Sequence, residues 1–306
     1  MNNIITDIKA LKEETLINLQ NSKAENTVRA YKSDFKDFSL FCVKKGFKFL
    51  PSEPNIVSLY LTHLSSKNIK ISTIKRRLVS IGIIHRMKGL YLDTKHPSII
   101  ENIMGIKRRK GSIQKAKKPL LINNLKLIIK AIDQYEKKEF KKIRNKSLIL
   151  IGFSGGFRRS ELVNLEYDDL EFVDEGVKIF IKRSKTDQSG EGSIKAIPYF
   201  SNLEFCPVTN LKNWLNNGKI KAGKIFNISD KSVALIIKRY AEKAGLDSTK
   251  YAGHSLRSGF ATTAAEFGAE ERNIMAMTGH KTTQMVRRYI QEANLFKNNA
   301  LNKIKF

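Results

Sequence analysis

Thiols are nearly absent from this sequence of 306 residues. Cys42 and Cys206 stand far apart in no paired motif, which excludes a disulfide framework and a cysteine-ligated zinc site and fits a reducing cytoplasm. Long apolar runs are missing as well, and no segment approaches the length that spans a bilayer. Met1 to Ala10 lack the basic start, apolar core and small-residue cleavage site of an export signal, so the chain is expected to be neither exported nor membrane-embedded. Acidic residues are scarce: 29 Asp and Glu stand against 56 Lys and Arg, a formal net charge of +27. An excess of that size points to a polyanionic partner, nucleic acid first. Core-forming material is plentiful, with 41% hydrophobic residues, 17 Phe and 9 Tyr, enough for two domains of ordinary size.

The pattern from Asn26 to about Met87 is helical. Val28, Tyr31, Phe35, Phe38 and Cys42 recur at spacings of three and four, as do Ile56, Leu59 and Tyr60, while Thr73, Arg76 and Arg77 alternate with Ile74, Leu78 and Ile81. Pro51 to Pro54 reads as a turn that starts a helix. Between Gly105 and Lys118 lie Lys107, Arg108, Arg109, Lys110, Lys115, Lys117 and Lys118 with no acidic residue and a flexible Gly111-Ser112 step, the signature of a basic interdomain linker able to track a phosphate backbone. Helical patterning resumes over Asn124 to Tyr135 and Arg144 to Asn164. Val177, Ile179 and Ile181 then alternate with Lys178, Phe180 and Lys182 as a half-exposed strand, and Ile194 to Pro198 returns as its antiparallel partner across the turn-rich Asp187 to Gly192. The expected division is a helical domain over 1–104, the linker over 105–118 and a second domain over 119–306. Repeats and low-complexity tracts are absent.

Five groups of residues suit one chemistry. Gly155-Gly156-Phe157-Arg158-Arg159-Ser160-Glu161 sets an arginine fork near a helix start, where phosphate is attracted, with Glu161 one turn on to brace Arg158. Arg183-Ser184-Lys185-Thr186 extends Lys185 from the end of a strand, placed to protonate a departing oxygen, with Lys182 and Lys195 as alternatives on the same hairpin. His254 and Arg257 share a helix face, one suited to moving a proton and the other to holding phosphate charge. Gly279-His280 and Tyr289 complete the set. A phenol with an ordinary pKa near 10 needs surrounding cations before it attacks, and Arg287, Arg288 and the earlier arginines are placed to supply them. Each motif alone has an ordinary structural explanation, from surface ion pair to hairpin lysine.

Together, Arg158 with Glu161, Lys185, His254-x-x-Arg257, Gly279-His280 and Tyr289 resemble, in order and spacing, the tyrosine recombinase (phage integrase) family, and the N-terminal region resembles the core-binding domain of its Cre-like members. The resemblance implies a mainly α fold of the DNA breaking-rejoining type, with a helical N-terminal core-binding domain and an α+β catalytic domain carrying a small antiparallel sheet. It implies that Tyr289 attacks a DNA phosphate and keeps the 3′-phosphoryl end, that Arg158, Arg257 and His280 stabilise the five-coordinate phosphorus, that Lys185 protonates the 5′-oxygen, and that His254 moves a proton with Glu161 in support. Neither metal nor ATP is implied. The partners implied are double-stranded DNA and copies of the same chain, as a tetramer on two DNA sites that exchanges the C-terminal segment Ala293, Phe296, Ala300, Leu301 and Ile304. Arg29, Lys32, Thr73 and Arg76 fall where Cre-like proteins meet the major groove, and with Lys107, Arg108 and Arg109 are the expected DNA contacts of a cytoplasmic, nucleoid-associated enzyme. Phe157 and Ser154 depart from the family's usual smaller aliphatic residue and threonine.

Three other readings stay open at this point. A type IB topoisomerase shares the tyrosine and cationic pocket but relaxes DNA without exchanging partners. A non-catalytic architectural protein needs nothing beyond the helices and the charge. A metal-dependent nuclease rests on Asp168-Asp169, and adjacent carboxylates on one segment rarely suffice for a two-metal site.

Overall fold

The computed structural model describes residues 11, 13, 14, 24–111, 117–182, 192–294 and 300–304. The chain divides into two compact units, Met1–Lys115 and Ala116–Phe306.

The first unit is helical: α1 Glu25–Lys45, α2 Pro54–Ser66, α3 Ile71–Met87 and α4 Pro97–Lys110. Along α1, Val28, Tyr31 and Phe35 are half-buried while Phe38 and Cys42 are fully enclosed, so the stripe read from the sequence is the face turned to the core. In α2 the buried stripe is Val57, Tyr60, Leu61 and Leu64, and Leu59, expected on that face, is 53% exposed. A polar seam joins the helices. Asp34, 3% exposed, accepts from Arg76 at 2.5 Å and Ser80 at 2.8 Å, and Tyr60 donates to Asp37 at 2.6 Å while receiving Arg77 at 2.7 Å. His85 is fully buried and satisfied at both nitrogens: it accepts from the Ser52 amide at 3.0 Å, and its Nδ1 donates to the Ile81 carbonyl at 2.9 Å.

Gly105 to Lys110, expected at the head of the linker, belong to α4. Ile99, Ile103 and Ile106 keep helical spacing into the core, and the four basic residues that follow Ile106 lie at the end of the helix dipole that favours cations.

The second unit runs α5 Ile122–Tyr135, α6 Glu139–Ser154, α7 Arg159–Val163, β1 Leu170–Val173, β2 Gly176–Ile181, β3 Ser193–Pro198, α8 Pro207–Asn217, α9 Asp230–Lys243, α10 His254–Glu266, α11 Glu271–Thr278 and α12 Thr283–Asn294. The single helical run expected over Arg144 to Asn164 is broken, because Gly155 caps α6 and Gly156 takes a left-handed φ of 55° before the chain restarts at Arg159. The sheet is antiparallel in the order β1-β2-β3, with Ile179 opposite Leu170 on one side and Lys195 on the other. β2 alternates as expected, with Val177, Ile179 and Ile181 inward. Around it packs a large core that includes Ile149, Ile151, Phe157, Leu162, Trp214, Phe226, Ile237 and Leu256. α12 rests on a separate, smaller cluster of Ala261, Ala265, Ile274 and Val286. Among the described residues no helix is long and apolar enough to cross a membrane.

Gly259 shows how closely the second unit is assembled. The Leu120 amide donates to the Ser255 carbonyl at 2.9 Å, and a Cβ on Gly259 would stand 2.1 Å from the Leu120 carbonyl oxygen. Backbone cannot retreat as a side-chain tip can. Gly259→Val is expected to destabilise this unit by about 3 kcal/mol, seen as a lower urea midpoint at unchanged slope; a midpoint equal to wild type would refute the close approach.

Candidate active site

Arg158 caps α7. Its amide donates to Glu161 Oε2 at 2.9 Å, its Nη1 to Glu161 Oε1 at 2.5 Å and its Nη2 to the Gly279 carbonyl at 3.2 Å. Glu161 thus caps the helix start by accepting the Arg158 amide and also braces the guanidinium, with its side chain only 4% exposed. Arg159, its neighbour, turns elsewhere: it lies across Gly253, where a Cβ would meet its Cδ at 1.9 Å, and 3.8 Å from Asp230.

α10 brings His254 and Arg257 to the same place. Arg257 is 1% exposed and donates to the Gly156 carbonyl at 3.0 Å. Desolvation first, then Arg158, pull its pKa down to about 10, against Glu161 and Tyr289, which oppose the shift. His254 is also shifted down, by desolvation, then Arg257, Arg158 and Arg159. α11 ends at Gly279, whose left-handed φ of 61° turns the chain so that His280 follows at once. His280 is 8% exposed. Thr278 Oγ1 donates to the Ile274 carbonyl at 2.5 Å and accepts from His280 Nδ1 at 2.7 Å, which assigns the proton to Nδ1 and leaves Nε2 as an acceptor. Desolvation, Arg257, Arg158, His254 and Lys195, in that order, depress the ring to about 4.

Tyr289 sits on α12 with its hydroxyl 3.5 Å from His254 Nε2 and its ring 5.9 Å from that of His280. Arg158, His254, Arg257, His280, Gln284, Met285, Arg288 and Tyr289 line one cleft of about 420 Å³. Five of the seven residues expected to be catalytic therefore line the cleft, and Glu161 joins them through Arg158. Lys185 lies outside the described residues. Gln284 and Met285 were not singled out as cleft residues, although Met285 lies one helical turn before Tyr289; of the two basic neighbours expected to serve the phenol, Arg288 lines the cleft, whereas Arg287 turns to Glu271 at 3.5 Å. Lys195, named only as an alternative to Lys185, is a further buried cation, bound to the carbonyls of Gly155 and Met277.

Three guanidinia, two neutral imidazoles and a phenol around one cleft suit a phosphate diester: the arginines match its oxygens, a neutral imidazole accepts the phenolic proton, and phenolate attack adds charge where the cations wait. The carboxylates do not converge in the same way. Asp169 is held by the Glu166 amide at 2.9 Å and by Lys182 at 2.9 Å, away from any cluster of three or more metal-ligating groups among the described residues.

The expected DNA contacts of the first unit are accessible to different degrees. Arg29 is 71% exposed and pairs with Glu25, Lys32 is exposed, Thr73 is half-buried, and Arg76 is held by Asp34. Lys107, Arg108 and Arg109 are exposed at the end of α4. Ala293 packs on the small cluster beneath α12, Leu301 and Ile304 are exposed, and Phe296 and the side chain of Ala300 lie outside what is described.

Comparison with known proteins gives concordant results. Residues 119–295 match the model of the phage integrase family. An integrase/recombinase xerD homolog from Selenomonas ruminantium is 41% identical over 301 residues, covering 94% of this chain and 87% of the relative. The XerH site-specific recombinase in a post-cleavage complex with palindromic difH substrate is similar in fold, with a TM-score of 0.61 at 20% identity over 81% of this chain and 73% of that one. A lambda integrase tetramer bound to a Holliday junction is similar at a TM-score of 0.57 and 16% identity, over 96% of this chain and 79% of that one.

The depressed His280 gives a pH test on the protein without DNA. Its native ring should titrate near 4 against an ordinary 6.5. Between those values the unfolded chain binds more protons than the native one, so the stability linked to this ring is complete above 6.5 and drains away as pH falls toward 4. Nitrogen-detected NMR of labelled histidine should show the low midpoint and Nδ1 protonation; a midpoint at 6 or above rules out the proposed burial among cations.

Proposed function

The chain belongs to the phage integrase family, the tyrosine recombinases, and from that membership we propose that Tyr289 is its nucleophile and that Arg158, Glu161, His254, Arg257 and His280 form the rest of its active site. The protein is a site-specific DNA recombinase, an enzyme that cuts and rejoins DNA through a 3′-phosphotyrosine. The observation that carries the assignment is the Tyr289 hydroxyl, 3.5 Å from His254 Nε2 in a cleft shared with Arg158 and Arg257.

The Tyr289 oxygen attacks the phosphorus as its proton passes to His254 Nε2, which burial and the neighbouring arginines keep unprotonated and able to receive it. Arg158 and Arg257 hold the non-bridging oxygens, and His280 joins them by taking a proton at Nε2 once the phosphate's negative charge offsets the burial and the neighbouring cations that lower its pKa, while His254 stays neutral to receive the phenolic proton. The bond from phosphorus to the 5′-oxygen breaks, and that oxygen leaves with a proton from the general acid, a role assigned to Lys185. Reversal by another 5′-hydroxyl reseals the strand. Phosphotyrosine conserves the energy of the original bond, so neither ATP nor a metal is required.

Double-stranded DNA is the substrate, held by the basic surface that includes Arg29, Lys32, Thr73, Arg76, Lys107, Arg108 and Arg109, and four copies act on two sites. Exposure of Leu301 and Ile304 favours a C-terminal segment that packs on a neighbouring copy. A cytoplasmic, nucleoid-associated location accords with this substrate and with two free, buried cysteines. The named relatives are recombinases, which disfavours the topoisomerase and architectural readings.

Tyr289→Phe should abolish protein covalently attached to DNA, assayed as denaturant-resistant adducts on randomly fragmented genomic DNA whose trapped ends are sequenced. Salt-sensitive binding should stay within about 3-fold. Arg158→Ala or Arg257→Ala should slow adduct formation by about 10²–10³-fold. Adducts that persist in Tyr289→Phe, or site-independent plasmid relaxation without exchange between duplexes, would displace this reading.

A further inference from the structure

β3 turns an unexpected residue inward. Its buried positions are Lys195 and Ile197, while Ile194 is 67% exposed. Side chains alternate along a strand, so a register one residue away would bury the isoleucine and free the lysine. The chain does the reverse, and an ammonium taken out of water is expensive unless it is paired or hydrogen-bonded.

What surrounds Lys195 identifies its task. Its Nζ donates to the Gly155 carbonyl at 2.7 Å and to the Met277 carbonyl, and lies 4.8 Å from the centre of the Phe157 ring. Gly155 belongs to the turn that delivers Arg158, and the next carbonyl along, that of Gly156, receives Arg257. Met277 belongs to the segment that delivers His280; Thr278 anchors the His280 ring, and the Gly279 carbonyl receives Arg158. Lys195 thus bridges the two backbone segments that carry Arg158 and His280, the first of which also anchors Arg257 through the Gly156 carbonyl. The segments are already in contact, since a Cβ at Gly156 would meet Thr278 Cγ2 at 3.2 Å. Burial, first, then Arg257 and Arg158 lower Lys195 to about 8, with Glu161 opposing, so it remains largely protonated at neutral pH.

We propose that Lys195 is a positioning residue for strand cleavage: its ammonium clamps the Gly155-to-Arg158 turn to the Met277-to-His280 segment and so sets the spacing between Arg158, Arg257 and His280. It acts through those groups and touches no DNA. An apolar residue of similar volume leaves two carbonyls unsatisfied and the spacing loose, which costs the chemical step before it costs affinity, because the phosphate contacts that dominate binding are spread over the whole basic surface.

The inference rests on the recombinase reading and is tested against it with Lys195→Met, using fragments recovered from the covalent trapping above. Wild-type adducts that are lost in Tyr289→Phe establish the reading independently. Lys195→Met should then keep its melting temperature within a few degrees and its DNA affinity within about 3-fold, while single-turnover adduct formation falls about 100-fold. The His280 NMR midpoint should move up, because one depressing charge is gone. If Met at 195 prevents folding, Lys195→Gln, a neutral donor able to reach one carbonyl, is read by the same measurements. Adduct formation within 3-fold of wild type, or binding and cleavage that fall in equal proportion, overturns the proposal.

Discussion

The constraint on which the second unit turns is the mutual repulsion of cations gathered around one cleft. Arg158, Arg257 and Lys195 are drawn together with Glu161 as the acidic group braced against Arg158, and two of the three are almost wholly buried. Such an assembly stands because backbone oxygens receive the charges: Gly156 takes Arg257, Gly279 takes Arg158, and Gly155 and Met277 take Lys195. Burial first, and the same repulsion after it, lower the pKa of both histidines and leave neutral rings beside the cations. Fold, electrostatics and chemistry meet at these few carbonyls.

This accounts for the shape of the chain nearby. Helix α6 must stop at Gly155 and Gly156 so that two successive carbonyls point back at cations, and α11 must end in the left-handed turn of Gly279 so that His280 can fold onto Thr278. The sheet contributes through one inward lysine. In the first unit the arrangement is the opposite: Asp34, Asp37 and Tyr60 meet Arg76 and Arg77 directly, each cation finding an acidic or phenolic partner.

Much of this was readable from sequence because periodicity reports burial. Phe38 with Cys42, and Val177, Ile179 and Ile181, are buried where their spacing placed them, and helical spacing put His254 beside Arg257. The misses have separate causes. Leu59 was assigned to the core because α2 carries apolar residues on more than one face, and the helix proposed across Gly155 ignored how readily two glycines admit a left-handed turn. The burial of Lys195 was not foreseen because nothing in a local window marks a lysine as inward; only its register with Ile197 does. The tautomer of His280 depends on a threonine hydroxyl two residues away, a relation that composition and spacing do not encode.

The anchoring of charge on main-chain oxygen carries an evolutionary consequence. A carboxylate partner vanishes with one codon change, whereas a carbonyl is supplied by whatever residue occupies the position, so Met277 can drift to another side chain of compatible shape without altering the electrostatic balance behind the cleft. Selection then acts on backbone path, through Gly156 and Gly279, more than on the identity of each anchor. Distant relatives can share the same charge-holding scaffold while differing at position 277, which lends it only a carbonyl.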